Sequence, residues 1–297
     1  MYLTGFADEA ADSLAEQIEI TQTLGWRHIE ARSVDGVNLN DLDDDAFLRS
    51  RDMLGEAGIG VNCLGSTIAN WGRQVDEPFD RTLADVDRAI VRMTALDCAL
   101  IRIMSYAVLR DNDGRALPDQ LERERFRRLR EICRRFTDAG VTPLHENCLS
   151  YGGMSWTHCL RLVDNVPGLK LVFDTGNPPL TPDFTTPFPY AMQSSWEFYS
   201  RVREHVAYVH VKDSRWNASA REEEYHYPGE GEGDVKRIVS DLLARGYDGG
   251  ISMEPHMAVV FHDESVRADS GIRRANYLEY ARRFMAMLAD VRRDLTK

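Results

Sequence analysis

No stretch of this chain approaches the roughly 18 apolar residues of a membrane-spanning helix, so no membrane partner is expected. The opening residues, Met1 through Glu9, lack a basic segment followed by an apolar core, so no signal peptide is expected either. Basic residues are in the minority: 36 Lys and Arg stand against 48 Asp and Glu, a net charge of −12. That balance argues against nucleic acid as a partner, while leaving room for a local basic pocket. The five cysteines, Cys63, Cys98, Cys133, Cys148 and Cys159, are odd in number and form no CxxC. Neither a disulfide framework nor a zinc knuckle follows from them, and a reducing cytoplasm is the simpler compartment. The glycine-rich run at 228–233 lacks the Lys-Ser/Thr of a phosphate-binding loop, and its two glutamates would repel a phosphate. It reads as a flexible rim loop, with His226 exposed beside it. The basic run at 123–128 reads as a solvated helix face rather than a nucleic-acid arm.

What is present is a regular alternation. Short apolar runs at 2–6, 28–31, 59–64, 99–104, 141–144, 169–173, 206–209 and 250–253 read as strands. Amphipathic segments follow them, such as 80–96, where Leu83, Val86, Ile90 and Met93 share a face, and a last helix spans about 272–295. A helix starts at Pro118 and stops at Gly140, and others are expected at 155–165, 191–204 and 235–245. The loop after Asp174, as far as Pro189, carries five of the 11 prolines, which predicts a stiff, extended loop. Eight strand-helix units in 297 residues, without a break in composition, predict an α/β fold: one (β/α)8 TIM-barrel domain covering 1–297.

The last four strands each lead into a metal-type ligand: Glu146, Asp174, His210 and Glu254. Their separations, 28, 36 and 44 residues, are each about one strand-helix unit. In a barrel all four emerge at the C-terminal rim, where the chemistry of this architecture sits. A strand-end Asp is often a helix cap, and a lone strand His is often a core residue. Three acidic groups recurring where they would repel one another need a further reason, and a cation supplies it. The oxygen-rich set suits Mn²⁺, with Mg²⁺, Co²⁺ or Zn²⁺ as alternatives. Asn177, Lys212 and His256, a few residues past these ligands, are candidate substrate contacts. Glu30, Arg102 and Ser66, at the ends of earlier strands, are candidates for the pocket floor. Strand alternation turns His145 and Asn147 away from Glu146, which gives His145 a structural role.

At these residues the chain resembles the xylose isomerase-like TIM barrels, and among them the sugar phosphate isomerase/epimerase superfamily. The matching segments are Asp8-Glu9, Ile29-Glu30-Ala31-Arg32, His145-Glu146-Asn147, Asp174-Thr175-Gly176-Asn177, His210-Val211-Lys212-Asp213, Gly229-Glu230-Gly231-Glu232-Gly233 and Glu254-Pro255-His256. In the ketose 3-epimerases of that superfamily a Glu, an Asp, a His and a second Glu bind Mn²⁺ or Co²⁺, and the glutamates form the acid/base pair. The resemblance implies those roles for Glu146, Asp174, His210 and Glu254, with Glu146 and Glu254 as the pair. It also implies a homodimer as a common assembly. Two positions depart from that branch: Asn177 stands where it carries His, and Trp216, beside Arg215, where it carries Arg. Both residues grip the sugar there.

The expected activity is metal-dependent isomerisation or epimerisation of a sugar or a keto-polyol through an enediolate. A lyase acting on a keto-inositol or a 3-keto-glycoside through the same enediolate is the alternative. An endonuclease IV-like repair enzyme shares the barrel but needs a His-rich three-zinc cluster, and only His210 among eight histidines clearly ends a barrel strand. A non-catalytic sugar-binding protein is a further class.

Overall fold

The computed structural model describes residues 1–260 and 263–296. Eight parallel strands form a nearly closed barrel: β1 (Tyr2–Gly5), β2 (His28–Ala31), β3 (Gly60–Gly65), β4 (Leu100–Ile103), β5 (Thr142–Glu146), β6 (Lys170–Asp174), β7 (Val206–Val211) and β8 (Gly250–Met253). The ladder runs β1-β8-β7-β6-β5-β4-β3-β2. At the seam between β1 and β2, the Thr4 hydroxyl donates to the His28 carbonyl at 2.9 Å. Helices α1 (Leu14–Thr23), α2 (Asp44–Ala57), α3 (Phe79–Ala95), α4 (Glu122–Asp138), α5 (Trp156–Asn165), α6 (Ser195–Val202), α7 (Val235–Ala244) and α8 (Ser270–Leu295) alternate with the strands. The architecture is the (β/α)8 TIM barrel expected from the alternation. None of the described helices is long and apolar enough to cross a membrane.

Local chemistry sets the element ends. Ser13, Asp43, Ser155, Ser194 and Asp269 each accept a backbone N–H in the first turn of the helix they precede. Gly58 ends α2 at φ +65°, a left-handed cap that costs glycine little. Leu121, at φ +51°, delays α4 to Glu122, past the start that Pro118 suggests. The proline-rich stretch after Asp174 contains one short 3-10 turn, Pro178–Leu180, and a bridge between Pro182 and Met192, before α6 begins later than 191. An antiparallel hairpin, Asp213–Asn217 with Glu222–His226, follows β7 and has no counterpart in the sequence reading.

The core is divided between the outer helix-strand shell and the barrel interior. Interior packing includes Cys63, Leu144, Val172 and Tyr208, all buried. In the basic run, Arg125 is fully buried and donates to the Ser105, Ala107 and Gln120 carbonyls, while Arg127 and Arg128 pair with Glu124.

Strand register delivers the rim. β6 pairs Asp174 with His210, and β7 pairs His210 with Ser252, two residues before Glu254. β5 pairs Glu146 with Val172, two residues before Asp174. Side chains alternate along a strand, so all four acidic or imidazole groups fall on the interior face. The turn after β5 fits closely: a Cβ on Gly153 would lie 1.7 Å from the Cys148 carbonyl oxygen. Gly153→Ala should therefore destabilise the protein by about 2 kcal/mol or more, since backbone rather than a mobile side chain must move. A thermal melt equal to that of the parent would contradict this packing.

Candidate metal and active site

Glu146, Asp174, His210 and Glu254 are buried at the C-terminal mouth, each offering a ligand atom, and these atoms lie within 4.8 Å of one another. His210 Nδ1 is 3.6 Å from Glu146 Oε1 and 3.7 Å from Glu254 Oε2, without a hydrogen bond to either. Its other nitrogen, Nε2, lies 3.1 Å from Glu30 Oε1, a contact that turns Nδ1 toward the carboxylates.

Buried cations hold the carboxylates. Arg102 reaches Glu146 Oε2 at 3.1 Å, and Asn177 donates to Glu146 Oε1 at 3.1 Å. Arg32 donates to Glu254 Oε1 at 2.9 Å, to both oxygens of Asp8 and to Glu9. Lys212 Nζ sits 3.2 Å from both Asp174 and Glu254. Burial pushes the Glu146 carboxyl up, but Arg102 and then His210 outweigh it and hold it at about 2. Burial raises Asp174 to about 7; Lys212 pulls it down, while Glu254 and Glu146 push it up. Burial pulls His210 down, yet Glu30 and Glu146 raise it to about 10. For Glu254, burial is overcome by Lys212, His256, His210 and Arg32, which keep it well below the usual carboxylate range.

The other candidates divide. Lys212 and His256 stand at the cluster; the His256 N–H donates to Glu9 at 2.8 Å, and its Nδ1 lies 3.0 Å from the same carboxylate. Glu30 lies against the far side of His210 rather than in the mouth. Ser66 donates to the Arg102 carbonyl at 2.5 Å and so braces β4. Asn147 exchanges two hydrogen bonds with the Asp174 backbone, joining the ends of β5 and β6. His145 is buried against the Ser105 hydroxyl at 2.9 Å, and burial pushes it down to about 4. The glycine-rich turn is organised by buried Asp213, which accepts from Ser214, Gly229 and Gly233. A Cβ on Gly231 would lie 2.5 Å from that carboxylate, which explains a glycine there. His226 lies half-buried in the hairpin, 3.5 Å from Glu224. In the sequence Asp8, Glu9 and Arg32 stand out only as parts of segments that match the resemblance; their part in holding Glu254 is visible in the ion pairs alone.

This donor set fits a divalent cation. Three carboxylates and an imidazole converge, and His210 Nδ1 has no hydrogen-bond partner although it is buried among them. Hard oxygen donors with one nitrogen suit Mg²⁺ or Mn²⁺.

The family model for xylose isomerase-like TIM barrels matches residues 18–279. Among solved structures, the chain is similar to a xylose isomerase-like TIM barrel protein from Mycobacterium smegmatis in complex with magnesium. The two are 15% identical over 97% of each chain, with a TM-score of 0.66. D-allulose 3-epimerase from Methylomonas sp. in complex with D-allulose is 18% identical, covering 95% of this chain and 96% of that one, with a TM-score of 0.64. The probable 3-DHS dehydratase AsbF of petrobactin synthesis from Bacillus anthracis is 15% identical, covering 94% and 98%, with a TM-score of 0.65. At these identities the likeness is one of fold. No curated protein matches the chain in sequence.

Two outcomes follow from the site. A divalent ion must displace the proton held on Asp174 below about 7 and that on His210 below about 10. Its affinity should fall as pH falls, by about tenfold per unit for each proton displaced. Calorimetric titration with Mn²⁺ across the neutral range reads this slope, and a flat profile would remove both groups from the ligand set. Glu30→Leu takes away the acceptor that orients His210, and should weaken divalent-ion binding by about 10- to 100-fold in the same titration. Unchanged affinity would leave Glu30 without that role.

Proposed function

The chain belongs to the family of xylose isomerase-like TIM barrels, and on that footing we propose that it is a divalent-metal-dependent sugar isomerase or epimerase. The observation that carries this reading is the convergence of Glu146, Asp174, His210 and Glu254 at one buried point of the mouth. These four residues would hold the ion, with Mn²⁺ the first choice and Mg²⁺, Co²⁺ or Zn²⁺ as alternatives. When bound, a divalent ion supplies electrophilic stabilisation for the negative charge that develops on substrate oxygens as a proton leaves the adjacent carbon.

The chain's own residues supply the proton movement. Glu254, gripped through Oε1 by Arg32 and facing Lys212 through Oε2, is a fixed carboxylate able to take the proton alpha to a carbonyl. Glu146, fixed by Arg102 and Asn177, is a second carboxylate able to return it. They come from β5 and β8, so a substrate between them meets two separate proton-transfer groups. Lys212 Nζ is placed to hydrogen-bond a substrate oxygen beside Glu254. Deep burial around the pair excludes water and strengthens each of these interactions.

A lyase is the second reading, favoured by one feature. Glu9 fixes His256 through two contacts, and the His256 Nε2 lies 4.0 Å from Glu254 Oε1. An imidazole there is suited to protonating a departing hydroxyl next to the carboxylate that removes the proton.

Glu254→Gln keeps the size of the side chain and removes the base. Solvent deuterium entering the carbon alpha to the substrate carbonyl should slow by about 100-fold or more, with the circular-dichroism spectrum unchanged. Exchange at the parental rate would end the acid/base assignment. Deuterium in an intact product marks isomerisation, whereas loss of water or an aglycone marks the lyase.

A further inference from the structure

Glu254 and His256 are both held from the turn that follows β1. That turn is a single 3-10 turn, Ala7–Glu9. So short a helical segment is marginal by itself, and its last carbonyls find no donor within it. Yet it carries two carboxylates on which the end of β8 depends. Asp8 accepts from Arg32 at 2.9 and 3.0 Å, and the same guanidinium reaches Glu254. Glu9 accepts from Arg32 and from the His256 N–H. His256 stands at φ +55°, a left-handed backbone that a residue with a side chain keeps only where its neighbours hold it.

The partner of this turn is the last helix. Arg273, in the first turn of α8, is buried and reaches back across 264 residues to the Glu9 carbonyl. Its Nε donates there at 3.2 Å, and its Nη2 donates to the Asp8 carbonyl at 2.5 Å. Its Nη1 meets the Asp12 carboxylate at 2.9 Å, which also takes Arg267 at 2.7 Å. A planar guanidinium serves three such acceptors from one rigid fork, which the point charge of an ammonium does not match. Two more residues at helical spacing on α8 reach the rim. A Cβ on Gly5 would lie 2.1 Å from the Tyr277 hydroxyl, so glycine leaves room for it at the end of β1. Tyr280 donates to the carbonyl of Val211, the residue after His210, at 3.3 Å.

We propose that Arg273 is a positioning residue for the site. Through the Asp8 and Glu9 backbone it fixes the anchors of Arg32 and His256, and through them the place of Glu254. This rests on the reading of Glu254 as a metal ligand, and adds to it the distant element that sets its position. The short turn alone would let both carboxylates wander, and α8 supplies the donors that stop it.

The test uses the full chain with Arg273→Lys and Arg273→Ala. Mn²⁺ affinity is read by calorimetry. The His256 ring is read by nitrogen-edited NMR of the metal-free protein at a single pH, its signal identified by its loss in His256→Gln. Both variants should bind Mn²⁺ about 10-fold more weakly, the lower end of what partners behind a metal ligand contribute. The His256 signal should move or broaden in both. Millimolar guanidinium ion should restore affinity and signal in Arg273→Ala by refilling the vacated space. A variant that is merely less stable gains nothing from guanidinium, which weakens folding in general. Where Arg273→Ala does not fold, Arg273→Lys, which keeps the charge and most of the stem, carries both readouts. Parental affinity or a parental His256 signal in a folded variant would overturn the proposal, as would a loss in Arg273→Ala that guanidinium does not reverse. The two readings fail separately. A parent that binds no Mn²⁺, while the His256 signal still moves in the variants, removes the metal reading and keeps the positioning role.

Discussion

Burying Glu146, Asp174 and Glu254 within 4.8 Å of one another and of His210 is the constraint on which the rest of this barrel's mouth depends. Two like charges about 5 Å apart repel by roughly 3 kcal/mol at the effective dielectric of a protein site, and desolvation adds to that cost. Arg32, Arg102 and Lys212 each reach one or more of these carboxylates, and each is itself buried. Burial still raises the Asp174 carboxyl to about 7, although Lys212 beside it pulls the other way. Three carboxylates around a buried imidazole are compatible with a bound divalent cation.

The scaffolding has a second layer. The Phe6 ring packs against both guanidinium groups, with Arg32 4.2 Å and Arg102 5.4 Å from its centre, and with the His210 ring edge-on at 5.1 Å. One apolar ring thus contacts two cations and the imidazole. Asp8 and Glu9 anchor Arg32 from the first strand-helix turn, Glu9 also fixes His256, and Glu30 fixes His210 from below. The proposed acid/base carboxylates, Glu146 and Glu254, are thereby held on separate strands of the rim by partners that the reaction itself need not move. Preorganisation of this kind is what enediolate chemistry demands, since charge must be met as it forms.

Outside the cluster, polar groups are spent on closing the architecture. Asn147 joins the ends of β5 and β6, Ser66 braces β4, and Asp213 gathers the glycine-rich turn. These three show why residue type at a strand end is ambiguous. Ser66 and Glu30 stand at positions where a substrate contact is a fair expectation, yet their side chains turn to a backbone carbonyl and to an imidazole. The sequence reading of residues 228–233 as no phosphate cradle agrees with a turn whose amides point at Asp213, but that turn is tied down rather than loose.

The alternation of short apolar runs with amphipathic segments was enough, by itself, to establish eight strand-helix units and so the barrel. It also placed Glu146, Asp174, His210 and Glu254 at strand ends, because strand and helix periodicities are local and survive in a single chain. Which groups those ends meet was decided only by tertiary structure. Arg32 reaches Glu254 across 222 residues, and Glu30 reaches His210 across 180. Such partnerships depend on strand register and on near-closure of the barrel, which bring β2 around to β7 and β8. No spacing or periodicity carries that information, because an ion pair is set by distance in space, and the sequence records only distance along the chain.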